Sequence, residues 1–582
     1  MANGAEGRTL LVSIQTTPYS RLGWRRLVGQ AGLNSAAMAA ALVALGLLIG
    51  LAPLEMTLTL LIGSGLVLAT LRHPVIGLCL LALVLPFSQV RQVSLAGARV
   101  GVAEALLALT LAAWLMRMAA KREIRFPHPP LLLPFLAFIG VQSLSLLVSR
   151  SLRESLPELL KWVEMLALYL FIASQVKGRH TPWIIGATLL AGCAQALLGA
   201  YQFLGQVGPE PFVLMGRFMR AYGTFDQPNP YAGYLGLIAP LALSLALWAL
   251  GRVWEGLRSG LRRRPGDTLR RWAALGFYGG ATALLVAGIG MSWSRGAWLG
   301  LAAAVVVVSA LRSRRAAMLF LLLAALVCVL ALMGGFELLP SALTSRLADL
   351  GEHIQYATDP DIARVEITDA NFAVLERVAH WRAAWGMFSD HPWLGVGIGN
   401  YAIAYPAYAL PRWNDPLGHA HNIYLHFLAE TGLLGLSAYL LFWIAASAQA
   451  WRESRGPRAI SWPATRGTSG PVGYTKNTSL RPDQPSVAMQ PRTPNHSIKC
   501  FENGYTNNPS WKRPSPLHAK KPEAPAHHSD IDTPFSYAKA IAVGVLGVIV
   551  YLTVHSLVDN LYVQGIYLHI AILLGLLEAR GW

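Results

Sequence analysis

An all-α, polytopic bundle of about 12–14 membrane-spanning helices is the fold class that the sequence predicts. Three observations lead there. Of the 582 residues, 54% are hydrophobic and 13% charged, where an ordinary soluble domain has about 25% charged residues. The apolar residues gather in blocks of roughly 18–22, long enough to cross a hydrocarbon core. The blocks are continuous rather than alternating, which excludes a membrane β-barrel.

In chain order, a polar to amphipathic segment over 1–34 carries "RLGWRRL" and reads as a cytoplasmic, interfacial N-terminus without a cleavable signal peptide. The apolar blocks lie near 35–53, 54–71, 74–90, 100–118, 129–148, 158–175, 182–204, 231–250, 273–291, 296–311 and 316–334. Short loops join these blocks, so 35–334 forms one membrane region. A long polar loop follows over 335–421, and a span over 422–451 carries a histidine motif. The stretch 452–535 is rich in Pro, Ser, Thr, Asn and Lys, lacks periodicity and is expected to be a disordered cytoplasmic insertion. Two final spans, near 537–554 and 560–577, close the chain within 536–582.

The formal net charge of +18 is explained by loops rather than by nucleic acid, because the basic residues fall between apolar blocks. Arg117, Lys121, Arg122 and Arg125 form one cluster, Arg252, Arg258, Arg262, Arg263, Arg264, Arg270 and Arg271 a second, and Arg312, Arg314 and Arg315 a third. If the spans alternate, all three lie on one side, and the positive-inside rule makes that side the cytoplasm. Both termini then lie inside as well, in a cytoplasmic (inner) membrane. Four polar stretches converge on the outer face: 205–230, "SWSRG" at Ser292–Gly296, the loop 335–421, and "HSLVDN" at His555–Asn560. Of the cysteines, Cys79, Cys193 and Cys328 sit in apolar blocks and Cys500 in a polar stretch, without metal spacing. No Asp/Glu/His metal cluster is evident in the outer loops, so neither metal nor cofactor is expected.

The outer stretches hold the chemistry. In "GHAHNIYLHFLAETGLLG" (Gly418–Gly435), His419, His421 and Asn422 stand before an apolar run. On a continuous helix Gly432 would fall within about 20° of the His421 face and about 16 Å deeper, with Gly435 about 40° to the other side. Such a stripe would let a helix or a lipid chain lie against the backbone below the histidine. Arg295, in the tight turn of "MSWSRGAWLG", opposes the positive-inside trend, and its guanidinium suits a phosphate or pyrophosphate. In "LERVAHWRAAWGMFSDHPWLGVGIGNY", Arg377, Trp381 and Trp385 share a face of an amphipathic helix placed along the membrane surface, and Arg382 projects roughly 140° away. The glycines of "GVGIG" shape a turn, since no βαβ context makes them a dinucleotide fingerprint. "RFMRAYGTFDQPNPYAGYLG" adds Arg217 and Arg220.

Together, "HAHNIYLHFLAETGLLGL", "RVAHWRAAWGMFSDHPWLGVGIGNY", "SWSRGAWLGL" and "RAYGTFDQPNPYAGYLGL" resemble the O-antigen ligase and polymerase-like family of bacterial membrane proteins. The resemblance covers about residues 30–450 and the last two spans, and its histidine–glycine pattern falls on His421, Asn422, Gly432 and Gly435. It implies a fold like the multi-span (GT-C-like) glycosyltransferases. The implied reaction is metal-independent transfer of a glycan from an undecaprenyl-pyrophosphate donor to an acceptor hydroxyl at the outer face. Carried over, His421 is the general base. Arg295, with Arg377 or Arg382, holds the pyrophosphate, while Arg220, Arg217, Asn422 and His419 stand nearby. The acceptor is a lipid, a glycan or a protein. The alternatives are an O-antigen polymerase, an inactive scaffold, or a small-solute carrier, for example of bicarbonate. A carrier would place ionisable residues deep in the spans, where Glu104, Glu164 and Glu430 are the main ones.

Overall fold

The computed structural model describes residues 53–313, 364–368, 371–455 and 535–579, apart from 89, 91, 96–97, 123–125, 215 and 259–264. A few isolated residues are described besides: 39, 40, 315, 318, 322, 325, 326, 355, 356 and 359. The segments 1–34 and 456–534 lie outside these residues, as do nearly all of the predicted spans 35–53 and 316–334 and of 335–363.

Helix follows helix through the described chain: α1 (Leu54–Arg72), α2 (Pro74–Val84), α3 (Val102–Ala120), α4 (Leu132–Leu144), α5 (Leu152–Gln175), α6 (Thr181–Gly205), α7 (Pro228–Gly236) and α8 (Ala239–Arg258). After these come α9 (Pro265–Met291), α10 (Arg295–Arg312), α11 (Phe372–Asp390), α12 (Ile423–Arg455), α13 (Tyr537–His555) and α14 (Ile566–Gly575). Among the described residues, strand is confined to two hairpins, Gln92–Leu95 with Ala98–Gly101 and Val213–Leu214 with Phe218–Met219. The protein is an all-α, multi-pass membrane bundle.

Of the fourteen predicted spans, the twelve within the described residues are helical, but eight helices are long and apolar enough to cross a membrane. Three segments, Pro74–Phe87, Leu132–Val148 and Ile566–Glu578, are shorter. Helix α5 is long enough, but Arg153, Glu154, Glu158, Lys161 and Glu164 charge its first half. Lipid explains the outward faces: Leu58, Ile62 and Leu68 on α1, and Leu190, Leu197 and Leu204 on α6, are all exposed, a patchwork that water would penalise.

Apolar residues all round a helix mark a buried one, and α13 and α14 fit this. Every residue of α14 is buried, and α13 packs against α8, α10 and α12. Close approach depends on missing side chains. Tyr551 of α13 lies over Gly236 and Gly300, where an added Cβ would strike its ring, and its hydroxyl donates to the Ala232 carbonyl at 3.1 Å.

Helix α12 departs from the expected continuous stripe. It starts at Ile423 rather than at His421, and Gly432 (φ 63°, ψ −162°) interrupts it. His421 itself is left-handed (φ 50°). Gly432 therefore does not continue the face of His421. The gap admits the backbone of the 392–397 loop rather than a lipid chain or another helix. Val396 and Gly397 donate to the carbonyls of Ala429 and Glu430 (both 2.9 Å), and Leu433 donates to Pro392 (2.8 Å). Gly395 (φ 63°) meets Ala429 and Glu430 from the loop side, and an added Cβ on Gly432 would meet the Trp393 carbonyl.

Gly432→Ala combines left-handed strain with a backbone collision and is expected to destabilise by roughly 2–4 kcal/mol. Gly290→Ala, where a Cβ meets nothing within 4 Å, should be neutral or slightly stabilising. Thermal unfolding of the purified protein compares the two, and equal melting temperatures would refute the interlock.

Candidate functional site

The site forms at one end of the bundle, where α9 ends, α10, α12 and α14 begin and α13 ends. The loop "HPWLGVGIGN" is tied down first. Gly395, Gly397 and Gly399 all have positive φ. Buried Asn400 accepts from the Ser151 amide (2.8 Å) and donates to Ser149 Oγ (2.9 Å) and Ser155 Oγ (2.7 Å). The Glu430 carboxylate accepts from the amides of Gly399 (2.9 Å) and Tyr401 (3.0 Å). Of the deep carboxylates that a carrier would use, Glu430 is thus engaged structurally, as is Glu164 with the Tyr567 hydroxyl at 2.6 Å, whereas Glu104 Oε2 is buried without a hydrogen-bond partner.

Asn422 caps α12. Its Oδ1 accepts from the amides of Tyr424 (3.0 Å) and Leu425 (3.1 Å), and its Nδ2 donates to the Leu557 carbonyl (2.9 Å). The Ile423 amide donates to Ser556 (3.0 Å). These bonds hold the 556–560 turn against the histidine motif. Asp559 Oδ1 then lies 3.8 Å from His421 Nδ1, beyond hydrogen-bond length but close enough to be electrostatic. His419 stands edge-on to His421 with centroids 4.3 Å apart, and His380 at 5.8 Å. Neither ring nitrogen of His421 has a hydrogen-bond partner, and both are closed off from solvent. A substrate must therefore open a path to this ring.

Burial alone would raise the Asp559 carboxyl, but the His421 imidazole, with His555 and His419 beyond it, holds it well below the usual carboxylate range. Burial pushes His419 down to about 3 and His380 to about 4, with His421 adding to both. The His421 amide donates to His419 Nδ1 at 3.2 Å, so neutral His419 carries its proton on Nε2.

A cavity of about 250 Å³ adjoins Asp559, lined also by Arg220, Arg295, Arg377, Trp381 and His555. Arg295 is the first residue of α10. Arg220 is aimed by bonds from Nε to the Ser292 carbonyl (2.8 Å) and from Nη2 to Asn229 Oδ1 (3.0 Å). Arg377 Nε is buried without a hydrogen-bond partner, at a cost of about 1–3 kcal/mol that an anion would relieve. His555 Nδ1 pairs with the Tyr551 hydroxyl at 3.0 Å, leaving Nε2 unpartnered.

The predicted residues therefore separate. Arg220, Arg295 and Arg377 share the cavity beside the His421–Asp559 pair. Arg382 turns to the carbonyls of Tyr356 and Asp359. Arg217 is exposed over the Phe218 ring at 5.4 Å. Neither lines the cavity. The face of Arg377, Trp381 and Trp385 does not lie uniformly along a surface: the first two line the cavity, and Trp385 is exposed. Sequence reasoning passed over Asp559, His555 and His380. The polar junction "HSLVDN" was the available signal for the first two.

Against the expectation of no metal cluster, His419, His421 and Asp559 offer donor atoms within 4.8 Å of one another, the one such group among the described residues. Two imidazoles and a carboxylate are ligands that zinc accepts.

Residues 280–440 match the family model described as O-antigen ligase. The match includes Arg295, Arg377 and His421, while Asp559 lies outside it. No curated protein matches the chain.

A histidine whose folded pKa is depressed gives stability that is present above its unfolded value and lost as pH falls. For His380 the window runs from about 6.5 down to about 4. Its expected contribution changes by up to about 1.4 kcal/mol per pH unit inside that window. The melting temperature should fall from pH 7 to pH 5, less steeply in His380→Gln. Parallel profiles in the two proteins would contradict the assignment.

Proposed function

We propose that this O-antigen ligase-like membrane protein transfers a glycan from a polyprenyl-pyrophosphate donor to an acceptor hydroxyl, at the outer face of a cytoplasmic membrane. The observation that carries the reading is the convergence of Arg220, Arg295 and Arg377 on a cavity that ends at the His421–Asp559 pair.

The acceptor oxygen attacks the anomeric carbon, and the bond from that carbon to the phosphate oxygen breaks. The electron pair leaves with the pyrophosphate, whose new charge the three guanidiniums meet with fixed donors. The hydroxyl proton goes to His421 Nε2. Asp559 faces Nδ1, favours the tautomer that leaves Nε2 free, and stabilises the imidazolium that forms. His555 and Trp381 complete the donor wall. Arg382, held on the carbonyls of Tyr356 and Asp359, has no part in this step. Asn422 acts through the helix cap.

In reconstituted vesicles with a polyprenyl-pyrophosphate oligosaccharide, His421→Ala is expected to lower transfer roughly 10²–10⁴-fold. Asp559→Asn should lower kcat at least roughly tenfold with little change in donor KM, and Arg382→Ala should stay near wild type. EDTA should leave transfer intact. Loss of transfer in EDTA would instead assign His419, His421 and Asp559 to a metal ion, and full activity in His421→Ala would end the reading.

A further inference from the structure

A second cavity, of about 350 Å³, lies on the other side of the histidine motif, between α5, the 398–402 segment, α12 and the start of the segment leading into α14. Its charge is opposite to that of the arginine cavity. Glu154, Glu158 and Glu430 line it, with a single lysine, Lys161, and no arginine. Lys161 is already taken by Glu158 at 2.5 Å, and Glu430 by two backbone amides. Glu154 is exposed and has no partner of opposite charge. Trp162, Phe427 and Tyr562 form an aromatic wall. His426, also in the lining, has a buried Nδ1 with no hydrogen-bond partner.

The two cavities share the His421 partition. His419 lines the acidic cavity and Asp559 the arginine cavity, and the adjacent residues Asp559 and Asn560 line different cavities. His421 lies between, facing Asp559 at 3.8 Å and the His419 ring at 4.3 Å.

We propose that the acidic cavity is the acceptor subsite, and that it takes a neutral or amino sugar and rejects an anionic one. The proposal rests on the glycan-transfer reading for the role of the sugar as acceptor, but not for its binding. Carboxylates and the unpartnered Nδ1 of His426, whose Nε2 faces Glu430 at 3.5 Å, accept hydrogen bonds from sugar hydroxyls or an ammonium group. An aromatic wall covers the apolar face of the ring. With Glu158 offset by Lys161, Glu154 repels phosphate and carboxylate, so pyrophosphate is directed to the arginine side. Each substrate thus meets His421 from its own side.

The test uses the full chain in amphipol, free of sugar-headed detergent. Saturation-transfer NMR is recorded with methyl α-glucopyranoside, glucosamine and glucuronate as probes. The first two should bind and glucuronate should not. Glu154→Lys should shift the preference toward glucuronate, and Ala402→Trp, which fills the cavity, should remove binding of the first two while the melting temperature holds. In the transfer assay Ala402→Trp should raise acceptor KM roughly tenfold and leave donor KM within about twofold. Binding unchanged in Ala402→Trp, glucuronate preferred by the wild type, or both KM values rising together would each overturn the proposal. Sugar binding without any glycan transfer would sink the ligase reading and leave the subsite standing. Transfer with no sugar binding would do the reverse.

Discussion

A break in a membrane helix leaves carbonyls that lipid cannot satisfy, and the rest of the site is arranged around one such break. At Gly432 the freed carbonyls of Ala429 and Glu430 accept from Val396 and Gly397. The loop that supplies those amides follows directly on α11, the helix carrying Arg377 and Trp381. Two glycines make the contact possible, Gly395 on the loop and Gly432 on the helix, each left-handed and each against the other segment's backbone. Glu430 and Asn400 then fasten the loop to α12 and α5. A segment that reads as a long external loop is in this way made part of the bundle's end.

The same end is organised electrostatically. Three guanidiniums crowd one cavity, three glutamates line the other, and His421 lies in the partition. Asp559 is the acidic residue in the lining of the arginine cavity. Its partner is an imidazole held in a left-handed backbone conformation, the kind of local strain that persists where surrounding structure over-determines it. Here the surroundings are the Asn422 cap and the two hydrogen bonds that dock the 556–560 turn. Opposite charge on the two sides of one imidazole would keep an anionic ligand and a hydroxyl-bearing one apart once a path to the buried ring opens.

Further support comes from burial behind the site. Tyr551 fits over Gly236 and Gly300 and reaches His555 at 3.0 Å. Helix packing through small residues thereby sets the position of a cavity-lining imidazole. Dispersion and close approach hold helices together in lipid where the hydrophobic effect does not, so these glycines are as much a part of the site as its charged groups.

By itself the sequence determined the class of fold and most of the chemistry. Continuous apolar blocks specify helices in lipid whatever their neighbours, because the backbone must satisfy itself. The clusters at Arg295, Arg377 and His421 are legible because polar residues stand out against those blocks. Tertiary structure alone decided which of them meet. Arg377 and Arg382 are five residues apart and equivalent by type, yet one faces the cavity and the other the carbonyls of Tyr356 and Asp359. The break at Gly432 was invisible to a periodicity argument, which assumes an uninterrupted helix. Asp559 reaches His421 from a distant turn through two backbone-anchored hydrogen bonds, and no local pattern encodes a contact made between the beginning of one helix and the end of another.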